Sequence, residues 1–135
     1  MKTSSYILLA SVLAVAACGK NGAAVSLRGY ECSTNVNGTT ITLNFAADAD
    51  RVSGKVVNTY NGPYEINGKN IKFGVMASTM KMGINANAMQ VEYNYFKFLP
   101  TVNTFQLSSN GVLLLISADG KGLRFYCAKP SAPAK

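Results

Sequence analysis

Few side chains in this sequence could do acid–base, nucleophilic or metal chemistry. The chain has no histidine, which removes the commonest general base and the commonest metal ligand. A Ser-His-Asp or Cys-His arrangement is therefore impossible. The acids are Glu31, Asp48, Asp50, Glu65, Glu92 and Asp119. Three of them fall in predicted turns and Glu92 is expected to serve a helix, so no carboxylate pair is expected to share a cleft. We predict a protein that is not an enzyme, with no cofactor and no metal site.

Cys18 carries the most specific chemical signal in the chain. It follows Val15-Ala16-Ala17, and these four residues resemble a bacterial lipobox. The apolar run from Tyr6 to Ala17 is too short for a membrane-spanning helix, which needs about 20 residues, but its length is typical of a secretory signal. The resemblance implies cleavage before Cys18 and attachment of several acyl chains, which is enough for stable anchoring. An ordinary signal with a chance cysteine is the alternative.

The lipobox divides the chain into four parts. We expect a signal peptide over 1–17, a lipidated cysteine and flexible tether over 18–25, a folded domain over 26–128 and a disordered tail over 129–135. Gly19 stands where an enterobacterial sorting signal for the inner membrane would place Asp. We therefore expect a lipid-anchored envelope protein at the outer membrane, facing the periplasm or the cell surface.

Cys32 and Cys127 lie near the two ends of the expected domain. An exported protein meets an oxidising compartment, which permits a disulfide. Pairing these cysteines would join the first and last strands and close a loop of roughly 100 residues, which stabilises by about 4–5 kcal/mol in the chain-entropy model. Two buried free thiols are the alternative, and two cysteines without histidine do not favour zinc.

The net charge of +7, from 13 basic and 6 acidic residues, favours anionic partners. The basic residues are spread along the chain without a run, so a solvated surface is the main interpretation and an anion-binding patch the alternative. Expected partners are the membrane, through the lipid, and an envelope protein or an anionic envelope glycan or lipid. Export disfavours nucleic acid, and we expect a monomer.

Hydrophobic periodicity predicts a mainly β (α+β) domain. In "TTITLNFAA", Ile41, Leu43 and Phe45 alternate with polar residues, as in a half-buried strand. Further strands are predicted in "RVSGKVV", "PYEI", "NIKFGVMAS", "TVNTFQLSSNG" and on both sides of the turn in "GVLLLISADGKGLRFYCA". Asn67-Gly68 is a hairpin signal. In "NANAMQVEYNYFKFLP" the helical spacing of Val91, Tyr95, Phe98 and Leu99 favours a helix from about Asn87 to Leu99, ended by Pro100, while the aromatic residues leave a strand as the alternative. The expected total is about seven to eight antiparallel strands and one helix.

The stretch "SGKVVNTYNGPYEINGK", residues 53–69, is dense in Gly and Asn. We expect a bulge or close backbone approach at Gly54, local hydrogen bonding by Asn58 and a tight turn at Asn61-Gly62 within "NTYNGP". A phosphate-binding loop is not indicated.

Two further clusters have open alternatives. Four tyrosines could form a sugar-stacking or protein-contact surface or belong to the core: Tyr60, Tyr64, Tyr93 and Tyr95. Four methionines favour core packing or an adaptable apolar surface over a Cu(I) site: Met76, Met80, Met82 and Met89.

The order of these motifs resembles the META domain, or HslJ-like, family of bacterial envelope lipoproteins and heat-shock-associated proteins. The resemblance covers roughly Leu27 to Ala128. The matching positions taken as family-motif residues are Gly54, Asn58, Gly62, Tyr64, Thr79 and Glu92. It implies a compact antiparallel curved sheet or cracked β-barrel with a packed helix, and no established catalytic activity.

This chain departs from the family pattern at its cysteines. The family often has Gly-Cys-Asn where Val56-Val57-Asn58 stands, and a second Cys near Gly83. Both are missing together, while Cys32 and Cys127 are present, which suits relocation of one disulfide. Together with the lipobox and Gly19, the resemblance favours a non-catalytic outer-membrane lipoprotein with a role in envelope stress or maintenance. The alternative is a protein-binding module: a pilotin-like assembly factor, an adhesin or a hydrolase inhibitor.

Overall fold

The computed structural model describes residues 26–81 and 85–129. Within them lie nine strands, one α-helix and one 3-10 turn. In chain order they are β1 (Glu31–Val36), β2 (Thr39–Phe45), β3 (Arg51–Lys55), β4 (Thr59–Asn67), β5 (Asn70–Phe73), β6 (Ala77–Ser78), α1 (Ala86–Phe98), the 3-10 turn (Leu99–Thr101), β7 (Val102–Leu107), β8 (Val112–Ser117) and β9 (Gly122–Ala128). No helix in these ranges is long and apolar enough to cross a membrane.

Eight of the strands close into an antiparallel barrel. Its order is β1-β2-β3-β4-β5-β7-β8-β9, with β9 returning to β1, and the short β6 pairs with β4 outside this ring. The predicted mainly β fold, a barrel of seven to eight strands with one packed helix, is confirmed. Most neighbouring strands are also neighbours in sequence, because short turns join antiparallel strands directly.

The barrel interior forms the hydrophobic core. On β2 the alternation seen in the sequence puts Ile41, Leu43 and Phe45 inward, where all three are buried. β8 contributes Leu113 and Leu115, as its alternate residues also face inward. Each fully buried aliphatic or aromatic side chain of this kind contributes about 1.5–3 kcal/mol relative to its exposed state.

A disulfide joins the strands that begin and end the barrel. Cys32 on β1 and Cys127 on β9 are directly opposed, with a Cα–Cα distance of 3.9 Å. The predicted pairing is confirmed. The bridge closes a loop with a sequence separation of 95 residues, so the chain-entropy model assigns it about 4.7 kcal/mol.

Helix α1 matches the predicted helix to within one residue at each end. Asn85 caps its start, because the Asn85 side chain accepts a hydrogen bond from the Ala88 amide. Pro100 falls in the 3-10 turn that follows, where a proline cannot continue the α-helical hydrogen bonding. Val91, Glu92 and Tyr95 form the buried face.

The predicted turn in "NTYNGP" is wrong, because β4 runs through it as one strand from Thr59 to Asn67. Gly62 does not have a positive φ. Its missing Cβ instead makes room for Met76, whose Sδ would lie 2.5 Å from that atom. Pro63 is tolerated because it lies where β4 passes from pairing with β6 to pairing with β5. The actual turn is at 56–58, where the Val56 amide donates to the Asn58 carbonyl.

Other boundaries differ less. The strand in "RVSGKVV" ends at Lys55, and "NIKFGVMAS" is split into β5 and β6. Asn67-Gly68 does form the β4–β5 hairpin, with Gly68 at φ 65°. The expected signal peptide, Cys18 and its tether, the residue pair Met82 and Gly83, and all of the expected tail beyond residue 129 lie outside the described residues.

Candidate functional site

Three of the family-motif residues meet where the β3–β4 turn packs against helix α1. The Glu92 carboxylate accepts hydrogen bonds from the Val57 amide at 3.0 Å and the Asn58 amide at 2.6 Å through one oxygen. Its other oxygen accepts from Asn58 Nδ2 at 2.9 Å. Glu92 is only 7% exposed. The helix carboxylate thus satisfies the amides of a turn that the sheet itself leaves unpaired.

Asn58 joins this carboxylate to the segment that leads toward the helix. Its Oδ1 accepts from Thr79 Oγ1 at 2.9 Å and from the Lys81 amide at 2.6 Å. Its Nδ2 also donates to the Lys81 carbonyl at 3.2 Å. All the side-chain capacity of this buried Asn is therefore used within the chain. We call Asn58, Thr79 and Glu92, with the backbone of Val57 and Lys81, the turn-locking network.

Two buried tyrosines lie beside the turn-locking network. The Tyr60 hydroxyl donates to the Thr42 carbonyl at 2.6 Å and lies 2.6 Å from the Tyr95 hydroxyl. Because Tyr60 uses its proton on Thr42, Tyr95 must be the donor between the two. Burial raises the pKa of both phenols above the usual value, and for Tyr95 the neighbouring Tyr60 adds to the effect.

Gly54 allows this tyrosine pair to reach the sheet. A Cβ at this position would lie 2.0 Å from the Thr42 carbonyl oxygen and 2.7 Å from the Tyr60 hydroxyl. The expected close backbone approach at Gly54 is therefore present. Gly62 and Tyr64 both lie on β4. Gly62 packs against Met76, and the Tyr64 ring packs edge-on against Phe45 at a centroid distance of 5.2 Å. The six motif positions thus have packing or hydrogen-bonding roles in the described structure.

The tyrosine contact surface does not form. Tyr60, Tyr64 and Tyr95 are buried, and of the four tyrosines considered only Tyr93 is exposed, at 58%. The Lys97 Nζ lies 5.3 Å from the centre of the Tyr93 ring. Tyr60 and Tyr95 are instead core residues with one shared hydrogen bond. The methionines are divided: Met76 packs on the core, whereas Met80 is 89% exposed.

The acids remain dispersed in the described structure. Asp50 pairs with Arg28 at 2.9 Å on the surface, and Asp119 accepts from Ser117, which lowers the pKa of this exposed carboxyl. Among residues 26–81 and 85–129 no group of three or more Cys, Asp or Glu could hold a metal ion. Glu92 is the one acid that the sequence interpretation misplaced, because it serves the turn rather than the helix.

A signal for Glu92 was present in the sequence. Glu92 precedes Tyr95 by three residues and Leu99 by seven, and it directly follows Val91. At this spacing Glu92 falls on the apolar stripe of the predicted helix. A carboxylate on such a stripe must find donors when it is buried. The donors are backbone amides 34–35 residues away, which periodicity does not reveal.

The described surface also has an open groove of about 660 Å³ between helix α1 and the β1 and β9 edges. Its floor is apolar and its rim carries amides and charges. The floor is formed by Val36, Ile41, Val91, Tyr95, Phe98 and Leu123, and the charged rim residues are Lys97, Asp119 and Lys121. The volume is within the range of ligand-binding clefts.

Comparisons with known proteins agree on the fold. An NMR structure of a protein from Burkholderia xenovorans superposes with a TM-score of 0.63 at 21% identity, covering 76% of this chain and 83% of that one. A second NMR structure gives a TM-score of 0.58 at 18% identity, covering 74% and 89%. The search of curated proteins found no significant match. The META domain family model matches residues 21–130, and the chain therefore belongs to the META domain family.

Proposed function

We propose that this protein is a non-catalytic lipoprotein, anchored through Cys18 at the outer membrane, whose META domain serves envelope maintenance under stress. The observation that supports it best is the turn-locking network. Asn58, Thr79 and Glu92 are the polar motif residues most suited to chemistry, and their side chains are occupied by bonds within the fold. A domain built this way presents a stable surface rather than a reactive group.

The anchoring proposal rests on the lipobox resemblance of Val15-Ala16-Ala17-Cys18. Cys18→Ser should release the protein from membranes, because the acyl chains have no other attachment point. Gly19→Asp, expressed in an enterobacterial host, should keep the anchor but move the protein to the inner membrane. Cell fractionation and density-gradient separation of the two membranes measure both outcomes. Continued membrane association of the Cys18→Ser protein after detergent-free washes would contradict the anchor.

The envelope role has its own test. A deletion strain should be more sensitive to envelope stress such as detergent or heat, and the unaltered gene should restore growth whereas the Cys18→Ser form should not. Full rescue by the soluble form would show that anchoring is not needed for the role.

A protein-binding module is the second candidate, and the groove beside helix α1 favours it. Its apolar floor and polar rim are the usual composition of a site that takes a partner segment. Crosslinking in intact cells, followed by mass spectrometry, should capture one discrete protein with the lipidated form and not with Cys18→Ser. Capture of glycan or lipid alone would favour a general envelope role over a docking role.

A further inference from the structure

The seam between β1 and β9 is open along half its length. These strands pair at only three positions, from Glu31↔Ala128 to Ser33↔Tyr126. Continued in the same register, the ladder would place Leu123 opposite Val36. Instead both residues line the groove. In the described part of the chain, Thr34–Val36 and Gly122–Phe125 each have a neighbouring strand on one side only.

Such an arrangement leaves the backbone N–H and C=O groups of two strand edges without a partner strand, and Val36, Gly122 and Leu123 from these edges line the groove. Edge strands of this kind are templates for a further strand. An extended peptide satisfies them with its own backbone, whereas a helix or a lipid chain has no free backbone groups to offer. The geometry therefore favours a strand as the occupant over a helix.

The side chains around the seam define the pattern of that strand. Leu123 and Val36 face the groove, while Arg124 is on the exposed face of β9. A strand laid beside β9 would alternate, with apolar side chains inward over Leu123 and outward side chains beside Arg124. Arg124 has no carboxylate within ion-pair distance among the described residues.

The groove rim, like Arg124, carries net positive charge, because Lys97 and Lys121 outnumber Asp119. Lys121 lies 3.9 Å from Asp119, so those two charges offset each other. Lys97 has no such carboxylate in the described structure and stands over Tyr93. Lys97 on the rim and Arg124 on the exposed face of β9 are therefore cations without an ion pair among the described residues, which complements acidic side chains and accelerates their approach.

We propose that the open β1–β9 seam binds an extended segment of an envelope protein, three to four residues of which add as a strand antiparallel to β9, with alternating apolar and acidic side chains. Because β1 and β9 are antiparallel, the added strand would be parallel to β1. Antiparallel pairing is slightly the stronger, and β9 also offers the longer open edge and Arg124.

This inference goes beyond the proposed function, although it gives the docking alternative a partner. The open part of the seam lies toward the far end of β1 from Glu31, because Val36 is about 17 Å further along that strand.

The test uses the mature chain with Cys18→Ser in solution, so that it does not depend on the anchor. The probe is an acetylated and amidated peptide of alternating Glu and Val, titrated while backbone amide NMR shifts are followed. We expect shifts centred on 34–36 and 122–125. The same peptide N-methylated at alternate residues should bind at least about tenfold more weakly, since it cannot donate the strand hydrogen bonds.

Charge provides a matched pair of variants. Arg124→Glu is an exposed change that leaves the core intact. It should weaken binding of the acidic peptide by about two- to fivefold and strengthen binding of a Lys-Val peptide, whereas Lys72→Glu on β5 should change the affinity for neither peptide. Equal binding of the N-methylated peptide, shifts elsewhere on the domain, or no binding at millimolar peptide would overturn the proposal. So would displacement of the peptide by phosphocholine detergent micelles that give the same shifts, because the seam would then be a lipid site.

Discussion

The turn-locking network makes a prediction that separates hydrogen bonding from packing. Asn58→Asp keeps the shape of the side chain but replaces Nδ2 by an oxygen 2.9 Å from Glu92 Oε1. Two unit charges at that distance repel by about 5–6 kcal/mol at an effective dielectric constant of 20. Because a proton shared between the two carboxylates would limit this repulsion, we expect a loss of about 3–5 kcal/mol in the free energy of unfolding.

Glu92→Gln perturbs the same contact from the other side. The oxygen of the introduced glutamine amide can still accept from the Val57 and Asn58 backbone amides, but the amide nitrogen then faces Asn58 Nδ2, which is also a donor. The loss of one buried bond predicts about 1–3 kcal/mol.

The double variant, Asn58→Asp with Glu92→Gln, reverses donor and acceptor across the contact. The introduced amide can donate to the introduced carboxylate, so the repulsion is removed and one bond is restored. The bond from Asn58 Nδ2 to the Lys81 carbonyl is still lost, so recovery is partial. We expect a coupling energy of about 2–3 kcal/mol in favour of the double variant.

Urea unfolding followed by circular dichroism measures these free energies, with the exposed Glu65→Gln as the control that should change little. A double variant as unstable as the sum of the two single changes, within about 0.5 kcal/mol, would refute the assigned donors and acceptors.

Three other predictions concern the barrel. Replacing both cysteines of the Cys32–Cys127 bridge by serine should lower the free energy of unfolding by about 4–5 kcal/mol, measured by urea unfolding; a loss under 1 kcal/mol would contradict the loop-closure argument. Gly54→Ala should lower the free energy of unfolding by about 1–3 kcal/mol or more, because its methyl group would clash with the Thr42 carbonyl. Gly122→Ala is the control and should be tolerated, because its Cβ would lie 3.2 Å from a flexible leucine methyl group. Equal thermal stability of the two variants would contradict the close approach at Gly54. Burial raises the pKa of Tyr95 and of Tyr60 in the folded state. The contribution of these two neutral phenols to the free energy of unfolding is therefore complete below about pH 10, and it is lost as the pH rises further. Tyr95→Phe should reduce that alkaline loss by about 1.4 kcal/mol per pH unit, and an unchanged slope of stability against pH would contradict it.

The sequence alone determined most of the strands and the helix, because burial on one face leaves a period of two or of 3.6 in the residues themselves. The alternation of Ile41, Leu43 and Phe45 and the run ended by Pro100 show this directly. The bridge between Cys32 and Cys127 followed from their positions at the two ends of a domain expected to be exported.

Only the tertiary structure decided the rest. Asn61-Gly62 has the composition of a turn, yet lies within a strand that pairs with β3 on one side and β6 on the other, and Gly62 makes room there for Met76. Glu92 finds its donors on a turn 34–35 residues away, and the β1–β9 seam opens after three pairs. These features depend on contacts between segments distant in sequence, and local propensity carries no information about which distant segments meet.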